Sequence, residues 1–356
     1  MSKPGVFLFA TTFFLSLIGI FILYESSAYS ATLLLGDKYF FVKYQLMWLV
    51  IGVILAFVIS QINYKRYHKL ALPMLLGTFL LLVLVFIPGI GLELKGANRW
   101  INFGFAVFQP SELLKITLAI YLAAWLSVKE KGRLLAFLML IGLSVFLVVI
   151  EPDMGTAMVI AVTSVALYFL SGSSVKEITL IGLIGLVGAF SLIKIAPYRI
   201  DRLTAFQNFD RSDLSTTSYH VKQILIALGS GGFTGVGFGK SVQKYAYLPE
   251  NTTDSIFAIF AEESGFIGSV FLISIFILQL FLGFLISTRA PDEFGRLLSL
   301  GIIIFLGIQT IINLGSQAIV LPLTGIPLPF ISYGGSSMVI NFLAIGILLN
   351  ISKNQK

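Results

Sequence analysis

The sequence predicts an all-α, polytopic membrane protein with about ten transmembrane helices and one large extracytoplasmic loop. Hydrophobic residues make up 57% of its 356 residues and charged residues only 12%, whereas a soluble globular domain carries roughly 25% charged residues. A helix needs about 20 mainly apolar residues to cross the hydrocarbon layer. Ten spans of this kind are expected, near residues 6–25, 44–62, 68–88, 111–128, 134–151, 154–172, 176–196, 254–287, 297–320 and 335–352.

Two of these runs differ in length from a simple span. The first run, 6–25, is longer than the roughly 7–15 residues of a signal-peptide core, so we expect an uncleaved first span. The eighth run, 254–287, is too long for one straight crossing, so we expect it to tilt or to continue as a helix beyond the membrane. The amino-acid composition is similar in the two halves of the chain. We therefore expect residues 1–356 to form a single membrane domain, with residues 197–253 as its large extracytoplasmic loop.

Lysine and arginine residues gather in alternate loops, which predicts the orientation of the chain, because short cytoplasmic loops keep an excess of both. With the N-terminus inside, that side carries Lys3, Lys65, Arg66, Lys69, Lys129, Lys131, Arg133, Lys176, Arg289, Arg296, Lys353 and Lys356. The short outer loops then carry only Lys38, Lys43, Lys95 and Arg99. Both termini are therefore expected in the cytoplasm. The net charge of +7 reflects this topology, and no nucleic-acid partner is expected.

The outer segment 197–253 is expected to be ordered. A loop longer than about 15 residues is usually functional or disordered, and the aromatic and aliphatic content here favours a partly re-entrant or surface-lying structure. Its glycine-rich run 229–239 has neither a Gly-Lys-Ser/Thr sequence nor a dinucleotide fingerprint, which favours flexible turns over a phosphate loop. A second outer segment, 89–110, contains Arg99 and Trp100, and these two side chains suit an interfacial anchor.

Asp254 closes a polar run and opens an apolar one, so its carboxylate could meet a lipid-borne substrate and water together. An ionisable group at membrane depth is costly and therefore marks a functional site. Asp is also a preferred helix N-cap, which leaves capping as the alternative. Glu262 and Glu263 follow two turns later, about 12 Å along the same helix. We expect these two acids to favour the protonated form of Asp254.

Glu112 and Lys115 lie at positions i and i+3 near the start of the fourth span, where opposite charges can pair on one helix face. One interpretation is an ion pair that lets both side chains enter the membrane. The other is that the pair lines a polar cavity in which Lys115 binds a phosphate. Arg is the better bidentate phosphate ligand. Arg99, Arg199 and Arg202 are therefore rival candidates for binding a pyrophosphate.

Glu151 and Asp153 lie two residues apart in the turn between the fifth and sixth spans. Two carboxylates can hold Mg²⁺ or Mn²⁺ through oxygen ligands, but the favoured interpretation is a charged turn that caps the next helix. His220, the one outward histidine of the predicted topology, is more typical of a structural donor than of a catalytic base. The chain has no cysteine, which excludes disulfides, thiolate catalysis and Cys-ligated zinc.

Several stretches resemble those of one known family. They are GANRW (96–100), QPSELLK (109–115), EPDMGTA (151–157), SVQKYAYLPE (241–250) followed by TD (253–254) and AEE (261–263), and PLPFISYGGSS (327–337). In this order, over roughly residues 20 to 350 and with ten helices, they are similar to the shape, elongation, division and sporulation (SEDS) family. Within that family, VQK before LPE is closer to the FtsW branch than to the RodA branch.

The resemblance implies a peptidoglycan glycosyltransferase that polymerises lipid II on the outer face of the bacterial plasma membrane and releases undecaprenyl pyrophosphate. It also implies a class B penicillin-binding protein as cross-linking partner, among other membrane proteins of the divisome or elongasome. Asp254 falls on the essential aspartate of the family and is expected to act as general base. The expected substrate-binding residues are Lys115, Glu112, Arg99, Arg199, Arg202, Glu250 and Lys244, with Glu262 and Glu263 as supporting acids.

Two other functions stay open on the residues alone. A lipid II flippase or transporter would also need buried charges between its helices, although it predicts acids through the midplane rather than at the outer rim. A non-catalytic scaffold of the cell-wall synthesis complex would tolerate the loss of Asp254. The sequence contains no nucleotide-binding motif, so a glycosyl donor would have to arrive already activated on its lipid. Mg²⁺ or Mn²⁺ is the one candidate cofactor.

Overall fold

The computed structural model of the chain describes residues 2–94, 96–104, 106–130, 132–195, 200, 202, 204, 206 and 216–355. Its helices are α1 (Lys3–Leu35), α2 (Phe40–Gln61), α3 (Lys65–Leu84), α4 (Pro110–Leu126), α5 (Leu134–Ile150), α6 (Met154–Leu170), α7 (Val175–Ile195), α8 (Thr216–Gly231), α9 (Ile256–Thr288), α10 (Glu293–Gln317) and α11 (Gly335–Lys353). Three short strands, β1 (Gly91–Leu94), β2 (Ala97–Asn102) and β3 (Val107–Phe108), lie between α3 and α4.

The helices follow the predicted membrane spans. Each of the ten predicted runs coincides with one helix of the described chain, and α8 lies within the predicted outer loop. Within the part of the chain that the structure describes, seven helices are long and apolar enough to cross a membrane, namely α1, α2, α3, α7, α9, α10 and α11. The helices α5 and α6 are apolar but shorter, with 17 residues each. The prediction of a helical, multi-pass membrane protein is confirmed.

Helix α11 lies at the centre of the bundle and α7 at its edge. In the apolar window of α11 83% of the residues are buried, compared with 6% in that of α7. Helix α11 packs against α2 along its length and also contacts α1, α4, α9 and α10. The outward side chains of α7, such as Leu186 and Phe190, are exposed, which suits contact with lipid. The polar residues at the start of α11 therefore stand on a helix that is mostly buried in the bundle.

The three strands form an antiparallel sheet of order β1-β2-β3. Ile101 of β2 pairs with Gly91 of β1 and with Phe108 of β3. The sequence predicts no strand here, because strands of 4, 6 and 2 residues are too short to show a clear alternation of apolar and polar positions. The sheet holds Arg99 and Trp100 at the rim of the cavity described below.

Helix α9 is interrupted at Gly265, whose φ of 68° lies in the left-handed region. The glycine-rich segment that follows α8 inserts at this break. Four backbone hydrogen bonds of 2.9 to 3.1 Å join the two elements, from Val236 N to Glu262 O, Gly237 N to Glu263 O, Phe266 N to Gly232 O and Ile267 N to Phe233 O. A Cβ on Gly265 would lie 2.2 Å from Gly235 N. The first turns of α9 are thus clamped by an outer segment, and the long eighth run is a broken helix.

Candidate active site

A cavity of about 700 Å³ opens where α4, α6, α9 and α11 begin. Its volume lies within the range of about 300–1,000 Å³ that is usual for small-molecule sites. Six of the twelve predicted site residues line it, and so does His220; the six are Arg99, Glu112, Asp153, Arg202, Glu250 and Asp254. The fold therefore brings to one cavity charged residues that are far apart in the sequence.

Asp254 lies in a tight turn that ends where α9 begins. Glu250 has a φ of 52°, a left-handed conformation that costs a non-glycine residue about 1–3 kcal/mol and is often found at functional sites. Its carbonyl accepts from the amides of Thr253 and Ser255, both at 3.1 Å. The N-cap of α9 is Ser255, and its side chain makes no capping bond. Asp254 therefore does not occupy the N-cap position that the alternative interpretation assigned to it.

The loop between α10 and α11 holds this turn from the other side. The Ser332 hydroxyl donates to the Thr253 carbonyl at 2.6 Å, and the Tyr333 amide donates to the Thr252 carbonyl at 2.9 Å. Gly325 lies against the Asp254 carboxylate, because a Cβ added there would be 3.4 Å from Asp254 Oδ2. The backbone around Asp254 is thus fixed, with its carboxylate at the cavity wall.

Three buried amide side chains on α10 support the same wall. Gln309 Nε2 donates to the Pro327 carbonyl at 2.9 Å. Asn313 Nδ2 donates to the carbonyls of Asp254 at 3.1 Å and Ile326 at 2.7 Å. Gln317 accepts from the Ala258 amide at 2.8 Å and donates to Asn313 Oδ1 at 2.7 Å. Sequence reasoning missed these residues, although amides at i, i+4 and i+8 of an apolar helix are a readable signal.

We predict that Asn313→Leu lowers both stability and activity. The change removes the donor to two buried carbonyls, and each unsatisfied group costs about 1–3 kcal/mol. Thr310→Val is the matched control, because the Thr310 hydroxyl bonds only to the Leu306 carbonyl of its own helix, at 2.8 Å. We expect a clear drop in melting temperature for Asn313→Leu and a small one for Thr310→Val. Equal melting temperatures for the two variants would contradict this role of Asn313.

The sequence as a whole matches one family. The family model described as "Cell cycle protein", which covers FtsW, RodA and SpoVE, matches residues 6–356. The chain belongs to this FtsW/RodA/SpoVE family. It is 39% identical to "Stage V sporulation protein E" of Bacillus subtilis (strain 168), over 99% of this chain and 98% of that protein. The resemblance of the five stretches is thus confirmed over nearly the whole length.

Further relatives agree with this membership. The chain is 40% identical to "Probable peptidoglycan glycosyltransferase FtsW" of Coxiella burnetii (strain RSA 493 / Nine Mile phase I), over 91% of this chain and 90% of that protein. A solved structure of RodA from Thermus thermophilus superposes with a TM-score of 0.72 and 27% identity, covering 98% of this chain and 96% of that chain. A second, described as "Structural coordination of polymerization and crosslinking by a peptidoglycan synthase complex", reaches 0.80 at 27% identity, covering 98% and 97%.

In this member of the FtsW/RodA/SpoVE family, two of the predicted arginines line the cavity. Arg99 donates from Nε to the Glu151 carbonyl at 2.7 Å and from Nη2 to the Pro152 carbonyl at 2.5 Å. Arg202 donates to the Leu323 carbonyl at 3.2 Å. The carbonyls bonded to Arg99 are neutral acceptors, so these bonds orient its guanidinium group without cancelling its charge. The third candidate, Arg199, lies outside the described residues.

Lys115 does not line the cavity, in contrast to its predicted role as a phosphate ligand. Its ammonium group is buried and donates to Glu112 Oε1 at 2.8 Å and to Gln309 Oε1 at 2.6 Å. The ion-pair interpretation therefore describes Lys115. Glu112, its partner, does line the cavity. Sequence spacing shows that two residues can pair but not which of them faces a cavity, so the sequence left both interpretations open.

Lys244, Glu262 and Glu263 also lie outside the lining of the cavity. Glu262 accepts from the amides of Val242 at 3.2 Å and Gln243 at 3.4 Å, and Glu263 accepts from Lys244 Nζ at 3.0 Å. Burial alone would lower the pKa of Lys244, but hydrogen bonds to Glu263 and Glu25 raise it above its usual value. The three residues hold an outer segment against α9. These positions do not support the predicted contact of Lys244 with substrate. They also do not support the predicted effect of Glu262 and Glu263 on Asp254.

The turn of Glu151 and Asp153 caps helix α6. Asp153 is the N-cap of α6, and its carboxylate accepts from the Thr156 amide at 3.0 Å and from Gln109 Nε2 at 3.1 Å. Burial, with Asp153 nearby, raises the pKa of Glu151 to about 9 despite the opposing charge of Arg99. Within the described ranges no group of three or more His, Cys, Asp or Glu side chains is placed to hold a metal ion.

His220 is a half-buried histidine in contact with the turn of Asp254. Its Nε2 lies 2.6 Å from Ser255 Oγ. Burial lowers its pKa to about 4, although Glu250 opposes this shift and Arg202 adds to it. The interpretation of His220 as a structural hydrogen-bonding residue fits these contacts.

We predict a pH-dependent loss of stability that depends on His220. Its folded pKa of about 4 lies below the unfolded value near 6.5, so the unfolded state binds the proton first. The lowered pKa of His220 contributes to the free energy of unfolding. This contribution is fully present above pH 6.5 and is lost as the pH falls toward 4, by on the order of 3 kcal/mol in total. The melting temperature of the wild type should therefore fall toward that of His220→Gln over this interval. A difference between the two proteins that stays constant with pH would contradict the prediction.

Proposed function

We propose that the protein is a peptidoglycan glycosyltransferase that polymerises lipid II into glycan strands, with Asp254 as general base. The observation that carries the proposal is the Asp254 carboxylate at the wall of a cavity of about 700 Å³ that Arg99 and Arg202 also line. An acid and fixed cations in one cavity are the groups that a glycosyl transfer from a pyrophosphate donor requires. Membership of the FtsW/RodA/SpoVE family supports the same reaction.

The proposed step is a single, inverting displacement. The 4-hydroxyl oxygen of the acceptor sugar forms a bond with the anomeric carbon of the donor chain, and the bond from that carbon to the pyrophosphate oxygen breaks. The hydroxyl proton passes to the Asp254 carboxylate, and the electron pair of the broken bond leaves with undecaprenyl pyrophosphate. The hydrogen bonds at the Asp254 backbone keep the carboxylate in place, so that little reorganisation is needed during the reaction.

The leaving pyrophosphate needs positive charge near its oxygens. Arg99 and Arg202 are the described cations of the cavity, and guanidinium groups match phosphate oxygens in a bidentate manner. Both are oriented through bonds to backbone carbonyls before substrate arrives. We propose that these two residues bind the pyrophosphate, and Arg199 stays a candidate from the sequence alone.

The proposal includes an orientation and a partner. We place the cavity on the outer face of the bacterial plasma membrane, with both termini in the cytoplasm, because Lys65, Arg133 and Lys353 lie at the opposite ends of helices from the cavity. The ten spans would form one membrane domain.

A class B penicillin-binding protein would cross-link the strands, by analogy with the solved peptidoglycan synthase complex, in which polymerization and crosslinking are coordinated. Other divisome or elongasome proteins would join them.

The proposal is tested with the purified full-length protein and its penicillin-binding partner in proteoliposomes that contain lipid II. Divalent cation is varied, and glycan strands are scored on a gel. We expect strands that depend on this protein when the transpeptidase of the partner is blocked. Translocation of lipid II without strands would instead indicate a flippase. Strands that form equally without this protein would indicate a scaffold, and either result would overturn the proposal.

A further inference from the structure

One carboxylate oxygen of the cavity wall lacks a hydrogen-bond partner. Glu112 is 2% exposed and lines the cavity. Its Oε1 accepts from Lys115, whereas its Oε2 is buried and has no partner among the described residues. More than nine in ten buried polar groups are satisfied in native proteins. Leaving a buried acceptor unpaired costs about 1–3 kcal/mol, and more for a charged group, so this oxygen calls for a donor from outside the chain.

The charges around Glu112 determine what kind of donor fits. The positive charge of Lys115 is held behind the cavity wall by Glu112 and Gln309, and it does not line the cavity. A phosphate placed here would meet the negative oxygen first and be repelled. Thr324, also in the lining, has a second buried oxygen without a partner. The unmet hydrogen-bonding capacity at Glu112 is therefore that of an acceptor, whereas the Thr324 hydroxyl can donate as well as accept.

We infer that Glu112 Oε2 is the acceptor of a saccharide subsite, which binds a sugar hydroxyl or an acetamido N–H and excludes the pyrophosphate. This inference rests on the proposed function and deepens it. It divides the cavity into a saccharide wall at Glu112 and a pyrophosphate rim at Arg99 and Arg202. Glu112 is on this view a substrate-contacting residue, and Lys115 is a positioning residue that acts through Glu112.

The test uses lipid II and a set of analogues that each lack one sugar hydroxyl or the acetamido N–H. A hydrogen bond to a charged group is worth about 10- to 100-fold in kcat/KM. We expect the wild type to discriminate against at least one analogue by such a factor. Glu112→Gln should lose activity on lipid II and no longer discriminate against that analogue. Unchanged discrimination in Glu112→Gln would overturn the inference.

Inhibition by inorganic pyrophosphate gives a second readout, in which the Glu112 and Arg99 variants should behave differently. Removal of the negative charge in Glu112→Gln should leave this inhibition unchanged or strengthen it, whereas Arg99→Gln should weaken it. Weaker inhibition in Glu112→Gln would overturn the inference. The exposed Glu93→Gln is the matched control. If Glu112→Gln does not fold, the double variant Glu112→Gln/Lys115→Met removes both charges of the pair and is tested in the same way.

Failure of the subsite and failure of the proposed function give different results. If the wild type polymerises lipid II but Glu112→Gln discriminates as the wild type does, only the subsite is wrong. If the wild type does not polymerise lipid II, the proposed function is wrong. In that case the same analogues are compared by direct binding to the wild type and Glu112→Gln in proteoliposomes, and equal affinity losses in both proteins would overturn the subsite.

Discussion

Asp254→Asn should reduce the rate of glycan strand formation by about 10²- to 10⁴-fold, the usual contribution of a general base. Asparagine has nearly the same shape as aspartate but cannot accept the proton of the attacking hydroxyl. The bond from Asn313 to residue 254 uses the backbone carbonyl, so it persists in the variant and the turn should stay in place. The initial rate in proteoliposomes with the penicillin-binding partner measures the effect.

The matched control is Asp37→Asn, which makes the same chemical change in the loop between α1 and α2. Asp37 is partly exposed and pairs with Lys43 at 2.6 Å, outside the cavity lining. We expect wild-type rates from this control. Wild-type rates from a folded Asp254→Asn protein would move the chemistry to another residue and remove the main support for the proposed mechanism.

Lys244→Met should cause the largest loss of stability. The Lys244 ammonium is 8% exposed and lies 3.0 Å from Glu263 and 3.1 Å from Glu25. Removing one partner of a buried pair costs about 3–5 kcal/mol, because the remaining charges are left without compensation. Here two carboxylates would lose their counterion, and the segment that reaches the Asp254 turn would lose one ionic link to α1 and one to α9. Thermal unfolding in detergent measures the loss.

Lys43→Met is the control for this change. Its side chain is 65% exposed in an ion pair with Asp37, and exposed pairs contribute about 0–1 kcal/mol. The two variants thus lose the same charge and differ in burial. If Lys244→Met were as stable as Lys43→Met, the buried cluster would not be what holds the outer segment to the bundle.

The helices and the central acid could be predicted from the sequence, because both signals are local. A run of about 20 apolar residues is sufficient to indicate a membrane span, and Asp254 stands out as an ionisable group at the edge of such a run. The sheet of 91–108 and the insertion of residues 232–237 at Gly265 depend on backbone pairing between segments. No pattern within either segment alone indicates that pairing.

The positions of the other charged residues depend on partners far away in the chain. Lys115 bonds to Gln309, 194 residues later, and Lys244 bonds to Glu25, 219 residues earlier. Each of these lysines looks like a candidate for binding an anion until its acidic and amide partners are known. Arg99 differs from them because its partners are carbonyls of a turn, which leave its charge available. Pairing, which sequence spacing alone does not reveal, thus separates structural cations from the candidates for substrate binding.

The most direct test of the central claim is a cryo-EM structure of the Asp254→Asn variant with lipid II and the penicillin-binding partner. The mechanism predicts saccharide density in the cavity, with the acceptor 4-hydroxyl within about 3.2 Å of the side chain of residue 254. It also predicts the pyrophosphate at Arg99 and Arg202. Saccharide bound outside the cavity, or a 4-hydroxyl far from residue 254, would contradict Asp254 as the base that drives polymerisation.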